Sequence, residues 1–380
     1  MARRGFWLRM ATQVISIFSA GDYDAQVLRG VEVLRGGGLV VLPTETVYGA
    51  AGLLSHPTAR SRLRELRGDP SPKPFTVHLA RPADALGYLG PVSDLGKRLM
   101  KKLWPGPVGL IFDVPAERRR QVAEKLGLPE SDLYDEATLT LRCPEHIVAT
   151  DIIGAVDGPV VIMVPPSAKA SSGSAEQMAR ELNGKVDLAF EAGPTTFSKP
   201  STILKVSGNR YEVVREGVYD QRIIEKLLRT TILFVCSGNT CRSPMAEAIT
   251  RRLLAEKEGV SELDLEKKGI SVMSAGAFAM PGARATPQAV DAVRTLGADL
   301  SSHRSRPLTV ELIHQADLIY TMGQSHARAV TALVPSASDK VATLDPDGDI
   351  DDPIGGDIAL YQDLAGQLRS LIEKRLQEMK

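Results

Sequence analysis

Cys236 and Arg242 are separated by five residues in the segment Val235–Ala248, V-C-S-G-N-T-C-R-S-P-M-A-E-A. Four apolar residues, Ile232 to Val235, lead into it as a strand, and Ser243-Pro244 opens a helical pattern. A loop that leaves a strand and enters a helix aims several backbone N–H groups at one point, which suits an anion. Gly238 is expected to let this loop turn, and Pro244 fits a first helical turn, where its missing N–H is not needed. Arg242 adds a planar fork matched to two phosphate oxygens. Ser243 is placed to donate to the sulfur of Cys236. A thiol, a cradle for a tetrahedral oxyanion and a guanidinium together predict phosphoryl transfer to sulfur, with Ser237, Gly238, Asn239, Thr240, Cys241 and Ser243 forming the loop.

Such a loop needs a sheet to hold it. Thr231–Val235, Ile270–Gly276 and Ala316–Met322 read as strands, and helices are expected from Pro244, from Pro287 to about Leu296 and from Tyr361 to Met379. Regular alternation with apolar strands predicts a four-stranded parallel α/β sheet covered on both faces. The preceding residues mix short β-branched runs with amphipathic stretches. "GGLVVLP", "FTVHL", "VGLIFDVP", "TLTLRCP", "VVIMVP", "STILKV" and "RYEVVREG" read as strands bounded by Gly or Pro. The expected layout is a lead over 1–13, a first α/β domain over 14–218, a linker helix over 219–229 and a second domain over 230–380.

The chain has 380 residues, with 46 Lys plus Arg against 46 Asp plus Glu, so no broad basic face is expected. Its three cysteines, Cys143, Cys236 and Cys241, do not fit a secreted disulfide framework. No apolar run approaches the roughly 18 residues of a membrane span. Only Phe6-Trp7-Leu8 follows the basic opening before Arg9, so no signal peptide is expected, and Met10 is an alternative start. A cytoplasmic location is expected. The acidic run Asp345–Asp352 lacks the glycine and the glutamate of a calcium loop and reads as solvated.

The loop resembles that of the low-molecular-weight protein-tyrosine phosphatase family. "SAGA" at Ser274–Ala277, "SSHRSRPL" at Ser301–Leu308, "ADLIYTM" at Ala316–Met322 and "DPIGG" at Asp352–Gly356 follow in family order. The resemblance implies Cys236 as nucleophile, Arg242 as phosphoryl binder, Asn239 bracing the loop through Ser274, and Asp352 as general acid and then base, with no metal and no cofactor. It prefers Asp352 over the rival Asp345-Pro346. Phosphorylated proteins are the implied substrates. Thr240, where tyrosine-selective members carry a bulky apolar residue, and Ile354-Gly355, where they carry aromatics, resemble the protein-arginine phosphatase branch; phosphotyrosine is the alternative. Arsenate reductases of similar scaffold need downstream cysteines, and none follows Cys241.

"GGLVVLPTETVYGAAG" at Gly37–Gly52 resembles the YrdC/Sua5 family of L-threonylcarbamoyladenylate synthases, as do "KPFTVHL", "WPGPVGLIF", "LRCPEH" and "PPSAKASSG" further on. The implied fold is a twisted, open, largely parallel-to-mixed sheet. The implied substrates are ATP with Mg²⁺, bicarbonate and L-threonine, and the implied partners are tRNA or the machinery that transfers the threonylcarbamoyl group to it. Thr44, Thr46, Tyr48 and His78 would line the threonine side, and Arg67, Lys73, Arg142, Ser167 and Thr202 the nucleotide side. The family's K-x-R-P is here Arg67 to Pro70 with Asp69 in the arginine's place, its "SAN" ends in Lys169, and Gly109 replaces a hydroxyl residue. Two readings stand for this half: a working synthase with rearranged phosphate contacts, and a nucleotide- or tRNA-binding scaffold without the chemistry, fused to a phosphatase.

Overall fold

The computed structural model describes residues 12–19, 21–68, 73–168 and 172–378, and the chain divides into two compact units after Leu227. Asp69 and Lys169, two of the departures noted above, lie outside the described residues, as does the opening segment with Met10.

The first unit is one sheet of eleven strands. In chain order they are β1 (Gln13–Ser16), β2 (Val40–Leu42), β3 (Gly49–Leu53), β4 (Val77–His78), β5 (Val108–Asp113) and β6 (Tyr134–Asp135). There follow β7 (Thr138–Arg142), β8 (Val160–Met163), β9 (Leu188–Glu191), β10 (Thr202–Ser207) and β11 (Arg210–Arg215). The spatial order is β1-β9-β2-β3-β8-β4-β7-β5-β10-β11, with β6 beside the start of β7. Four neighbouring pairs are parallel and six antiparallel, so the sheet is mixed and less parallel than expected. Short connections are the cause. β2 returns directly as β3 through Pro43–Tyr48, and β10 turns into β11 at Gly208-Asn209, and tight hairpins force antiparallel neighbours. The helix Tyr23–Arg35 starts where the Asp22 carboxylate accepts from Ala25 N and packs Val31 and Leu34 with Val40, Ile152 and Phe190.

The second unit has β12 (Thr230–Cys236), β13 (Ile270–Gly276), β14 (Leu318–Thr321) and β15 (Val341–Thr343) in the order β13-β12-β14-β15, all parallel. Alternate residues of β12 point to opposite faces. Ile232 and Phe234 join the helices Arg242–Glu258, Pro287–Arg294 and Ile358–Glu378, whereas Leu233 and Val235 join Val310–Gln315 and Gln324–Leu333. The sheet is therefore covered on both sides. β12 is central and buried along Thr231 to Cys236, so its carboxyl end is a fixed platform for the cysteine loop.

Candidate functional site

The loop from Cys236 enters its helix at Arg242, two residues earlier than the sequence suggested, with Cys241 at the cap and Pro244 as the third helical residue. Pro244 still lies in the first turn, where an N–H would have no helical partner. The left-handed turn falls on Asn239, at φ 54°, and Gly238 is not among the positive-φ glycines. Asparagine tolerates this region because its short amide side chain bonds locally. Here the amide is fully used.

Asn239 Nδ2 donates to Ser243 Oγ at 3.0 Å and to Ser274 Oγ at 2.8 Å, while Asn239 Oδ1 accepts from Arg306 N at 2.9 Å. Ser274 in turn donates to Glu247 Oε2 at 2.6 Å. Because the amide N–H groups only donate, Ser243 keeps its own hydrogen, whose acceptors are Cys236 Sγ at 2.9 Å and Ala275 O at 3.3 Å, the sulfur being the nearer. Asn239 N also donates to the sulfur, at 3.2 Å. Two hydrogen-bond donors thus converge on this one sulfur. His303 Nε2 lies 2.8 Å from Asn239 O and donates to it. Burial holds that imidazole below its ordinary range, so it is neutral at neutral pH.

Arg242 is buried, its Nη1 donates to Ile350 O at 2.9 Å, and its Nη2 pairs with the Asp352 carboxylate and lies 3.5 Å from Ser237 Oγ. Asp352 is 40% exposed in its side chain, so it lies at the rim. Cys236, Arg242, Asp352, Asn239, Ser243 and Ser274 are thus brought together. Thr240 is half-buried, and Cys241 sits beneath with its sulfur 3.4 Å from Tyr361 OH.

In the first unit, the hairpin Pro43–Tyr48 carries its polar residues inward. Glu45 and Arg142 form a buried ion pair at 2.7 Å; Arg142 Nη2 also donates to Thr46 Oγ1 at 2.8 Å, and Glu45 Oε2 accepts from Glu145 N at 3.0 Å. Arg142 Nε is buried without a hydrogen-bond partner among the described residues. Thr44 Oγ1 lies 2.9 Å from Thr46 Oγ1. His78 is fully buried beside Arg142; burial first, then that cation, pushes its pKa down to about 3. Tyr48 and Thr202 are buried with their hydroxyls committed to the protein, Tyr48 to Gly193 O at 2.6 Å and Thr202 to Tyr219 O at 2.6 Å. Arg67 lies over the Phe75 ring at 4.2 Å and donates to Pro74 O, while Lys73 and Ser167 are exposed. The structure therefore gathers Thr44, Thr46, His78 and Arg142 and leaves Arg67 on Phe75.

The family model for low molecular weight phosphotyrosine protein phosphatases matches residues 231–380. The protein-arginine-phosphatase of Bacillus subtilis (strain 168) is 40% identical over 154 residues, 39% of this chain and 96% of that protein. The second unit belongs to the low molecular weight phosphotyrosine protein phosphatase family. A probable protein-tyrosine-phosphatase of this class, EpsP of Ralstonia solanacearum, is 38% identical over 141 residues, 37% of this chain and 88% of that protein. A second family model, Sua5/YciO/YrdC, described as telomere recombination, matches residues 32–217. The threonylcarbamoyl-AMP synthase of Bacillus subtilis (strain 168) is 30% identical over 209 residues, 54% of this chain. The chain spans 57% of the length of that synthase. The chain thus joins a Sua5/YrdC-like unit to a phosphatase unit.

Four residues of the phosphatase unit's site escape sequence reasoning: Glu247, Gly276, His303 and His326. Glu247 carries one usable signal, since it stands four residues after Ser243 on the same helix face. Gly276 stands inside the "SAGA" segment. A side chain there would meet Ser237 O at 2.6 Å and Asn239 N at 2.9 Å, so β13 approaches the loop as only glycine can. The two histidines come from other parts of the chain: His303 stands inside the "SSHRSRPL" segment, and nothing local marks His326. Among the described residues no helix is long and apolar enough to cross a membrane.

Proposed function

We propose that the phosphatase unit hydrolyses phosphorylated proteins through a cysteinyl-phosphate, with phosphoarginine preferred over phosphotyrosine. The observation that carries the chemistry is the sulfur of Cys236 under two donors, Ser243 Oγ at 2.9 Å and Asn239 N at 3.2 Å, at the start of a helix. The thiolate attacks phosphorus, the bond from phosphorus to the leaving nitrogen or oxygen breaks, and Asp352 gives that atom a proton. Water then attacks the cysteinyl-phosphate as Asp352 takes its proton, and Cys236 leaves as thiolate. Arg242 Nη2, now paired with Asp352, would turn to two phosphoryl oxygens. Substrate binding thereby frees the carboxyl for proton transfer. Thr240 at the half-buried rim, Ile354-Gly355 after Asp352 and the likeness to a protein-arginine-phosphatase support the arginine preference.

For the first unit the proposal is a threonylcarbamoyl-AMP-synthase-like site that takes L-threonine, bicarbonate and the nucleotide ATP with its Mg²⁺, and serves tRNA modification in the cytoplasm. Arg142, with one buried N–H unspent, supports an anionic ligand beside Thr46 and His78. The second reading, a binding scaffold without adenylation, is favoured by Arg67, whose guanidinium lies on Phe75 and donates to Pro74 O. Pyrophosphate release with and without threonine separates the two. Threonine-dependent release establishes the synthase; binding of ATP without release establishes the scaffold. For the phosphatase unit, turnover of phosphoarginine and phosphotyrosine peptides by the full chain is compared. Faster hydrolysis of phosphoarginine that vanishes in Cys236→Ser supports the proposal, and faster phosphotyrosine hydrolysis overturns the preference.

A further inference from the structure

Ser237, directly after the nucleophile, has a hydroxyl that the loop's framework does not use. Its Oγ lies 2.9 Å from His326 Nε2 and 3.5 Å from Arg242 Nη2. His326 reaches it from the helix Gln324–Leu333, on the far side of the sheet from the helix that carries Arg242. The imidazole is only 5% exposed, and its Nδ1 is buried with no hydrogen-bond partner among the described residues.

These contacts fix where the hydrogens lie. A buried ring nitrogen without a partner is least costly as a bare lone pair, because an orphaned N–H is the rarer and dearer defect. The ring hydrogen therefore sits on Nε2 and is donated to Ser237 Oγ. The guanidinium has no lone pair to offer, so Arg242 Nη2 approaches the same oxygen as a donor. Both lone pairs of Ser237 Oγ are then taken. Its own hydrogen has no acceptor among the described residues, and it lies beside the guanidinium nitrogen that is to hold the phosphoryl group.

We infer that Ser237 is an additional hydrogen-bond donor to the tetrahedral oxyanion held by this loop, and that His326 is the positioning residue that aims it. The inference rests on the phosphatase reading above. Burial and the neighbouring Arg242 hold His326 below its ordinary range, against the opposing pull of Asp349 and Asp352 from the loop beyond β15, so the ring is neutral at neutral pH. The frame that places it is stiff. Asp349 Oδ1 accepts from Gln324 N at 2.8 Å at the start of the helix, and Ile350 binds Met322 O through its N–H and Arg242 Nη1 through its carbonyl, each at 2.9 Å. Gly323 lets that carboxylate in, since a side chain there would meet Asp349 Oδ2 at 2.7 Å.

The test uses the full chain, p-nitrophenyl phosphate as substrate and inorganic phosphate as competing ligand. Ser237→Ala is expected to raise the inhibition constant of phosphate about tenfold, the size of one hydrogen bond to a charged group. His326→Leu is expected to raise it by a similar factor, and the double variant to be no worse than either single one, because both remove the same donor. His326→Gln, whose amide can donate from nearly the same place, should restore most of the affinity. If His326→Leu does not fold, Ser237→Ala and His326→Gln still decide the matter. An unchanged phosphate constant in an active Ser237→Ala chain overturns the inference and leaves the phosphatase reading standing. Effects of the two substitutions that multiply overturn His326 as the positioning residue. No turnover by the unsubstituted chain overturns the phosphatase reading and this inference together.

Discussion

Ser274 donates its hydroxyl hydrogen to Glu247 Oε2 across 2.6 Å while accepting from Asn239 Nδ2, so the carboxylate holds the amide that braces the Cys236 loop. Glu247 is itself held by Arg251 at 3.1 Å on the next turn of the helix. It is joined to the sulfur through Ser274, Asn239 and Ser243.

Glu247→Gln tests that chain of donors. A glutamine that turns an N–H to Ser274 puts two donors, itself and Asn239 Nδ2, on that hydroxyl and leaves its hydrogen without the carboxylate acceptor, which loosens the hold on the Asn239 amide. Loss of about tenfold in kcat with a smaller change in KM is expected, comparable to one hydrogen bond lost from the transition state. Steady-state kinetics with p-nitrophenyl phosphate decides, and an unchanged kcat would show that the carboxylate's hold on Ser274 does not reach the sulfur.

Gly276→Ala should damage the loop from behind. The added carbon would meet Ser237 O at 2.6 Å, Ala279 Cβ at 2.7 Å and Asn239 N at 2.9 Å, two of them backbone atoms that cannot swing away. Overpacking of this kind costs about 1–3 kcal/mol. A lower urea midpoint with a disproportionate fall in turnover is expected. Retention of both would mean that β13 and the loop can separate at little cost.

Glu45→Ala leaves Arg142 buried without its carboxylate and Glu145 N without its acceptor. Removing one member of a buried pair costs about 3–5 kcal/mol. Both tryptophans, Trp7 and Trp104, belong to the first 227 residues, so tryptophan fluorescence during urea unfolding reports this unit by itself. A midpoint within error of the parent chain would refute the structural weight given to the pair.

Acid should weaken the same unit. The unfolded chain takes up a proton on His78 near the ordinary value of about 6.5, whereas the folded ring holds off until about 3. Between those values the unfolded state binds more protons, so stability falls as pH falls, by at most about 1.4 kcal/mol per pH unit from this group. His146, also held low mainly by burial, adds in the same direction. His78→Gln should flatten the fluorescence-monitored curve between pH 6 and 4. Parallel curves for the two chains would remove His78 from the account.

How much of this was legible depended on sequence distance. Cys236, Ser243 and Arg242 share one contiguous loop, and the strand before it and the helix after it could be read from the same fifteen or so residues. Asp352 came from resemblance. His303 and His326 reach the loop from 64 and 89 residues away, a separation across which no local pattern runs. In the first unit, β3 is Gly-Ala-Ala-Gly-Leu, whose small residues lack the β-branched signature of a strand, yet it is wholly buried between β2 and β8. The helix Ile147–Gly154 hid for the opposite reason: buried or apolar on most sides, it shows little periodicity. Pro244 lies in the first helical turn as expected, whereas the loop that Gly238 is expected to turn has its left-handed residue at Asn239.

The order of the strands has a further consequence for how this unit comes apart. β12 has a hydrogen-bonded neighbour on each side, while β15, with the Asp352 loop beyond it, is paired only with β14. Amides of Leu233 to Val235 should therefore be the last to exchange with solvent deuterium, and those of β15 among the earlier ones. On the proposed mechanism, a partly opened molecule would lose its proton donor, Asp352, before its nucleophile, Cys236. It would still accept a phosphoryl group on Cys236 from a substrate with a good leaving group and then discharge it slowly, so that the first sign of thermal damage would be a burst of product followed by a stall.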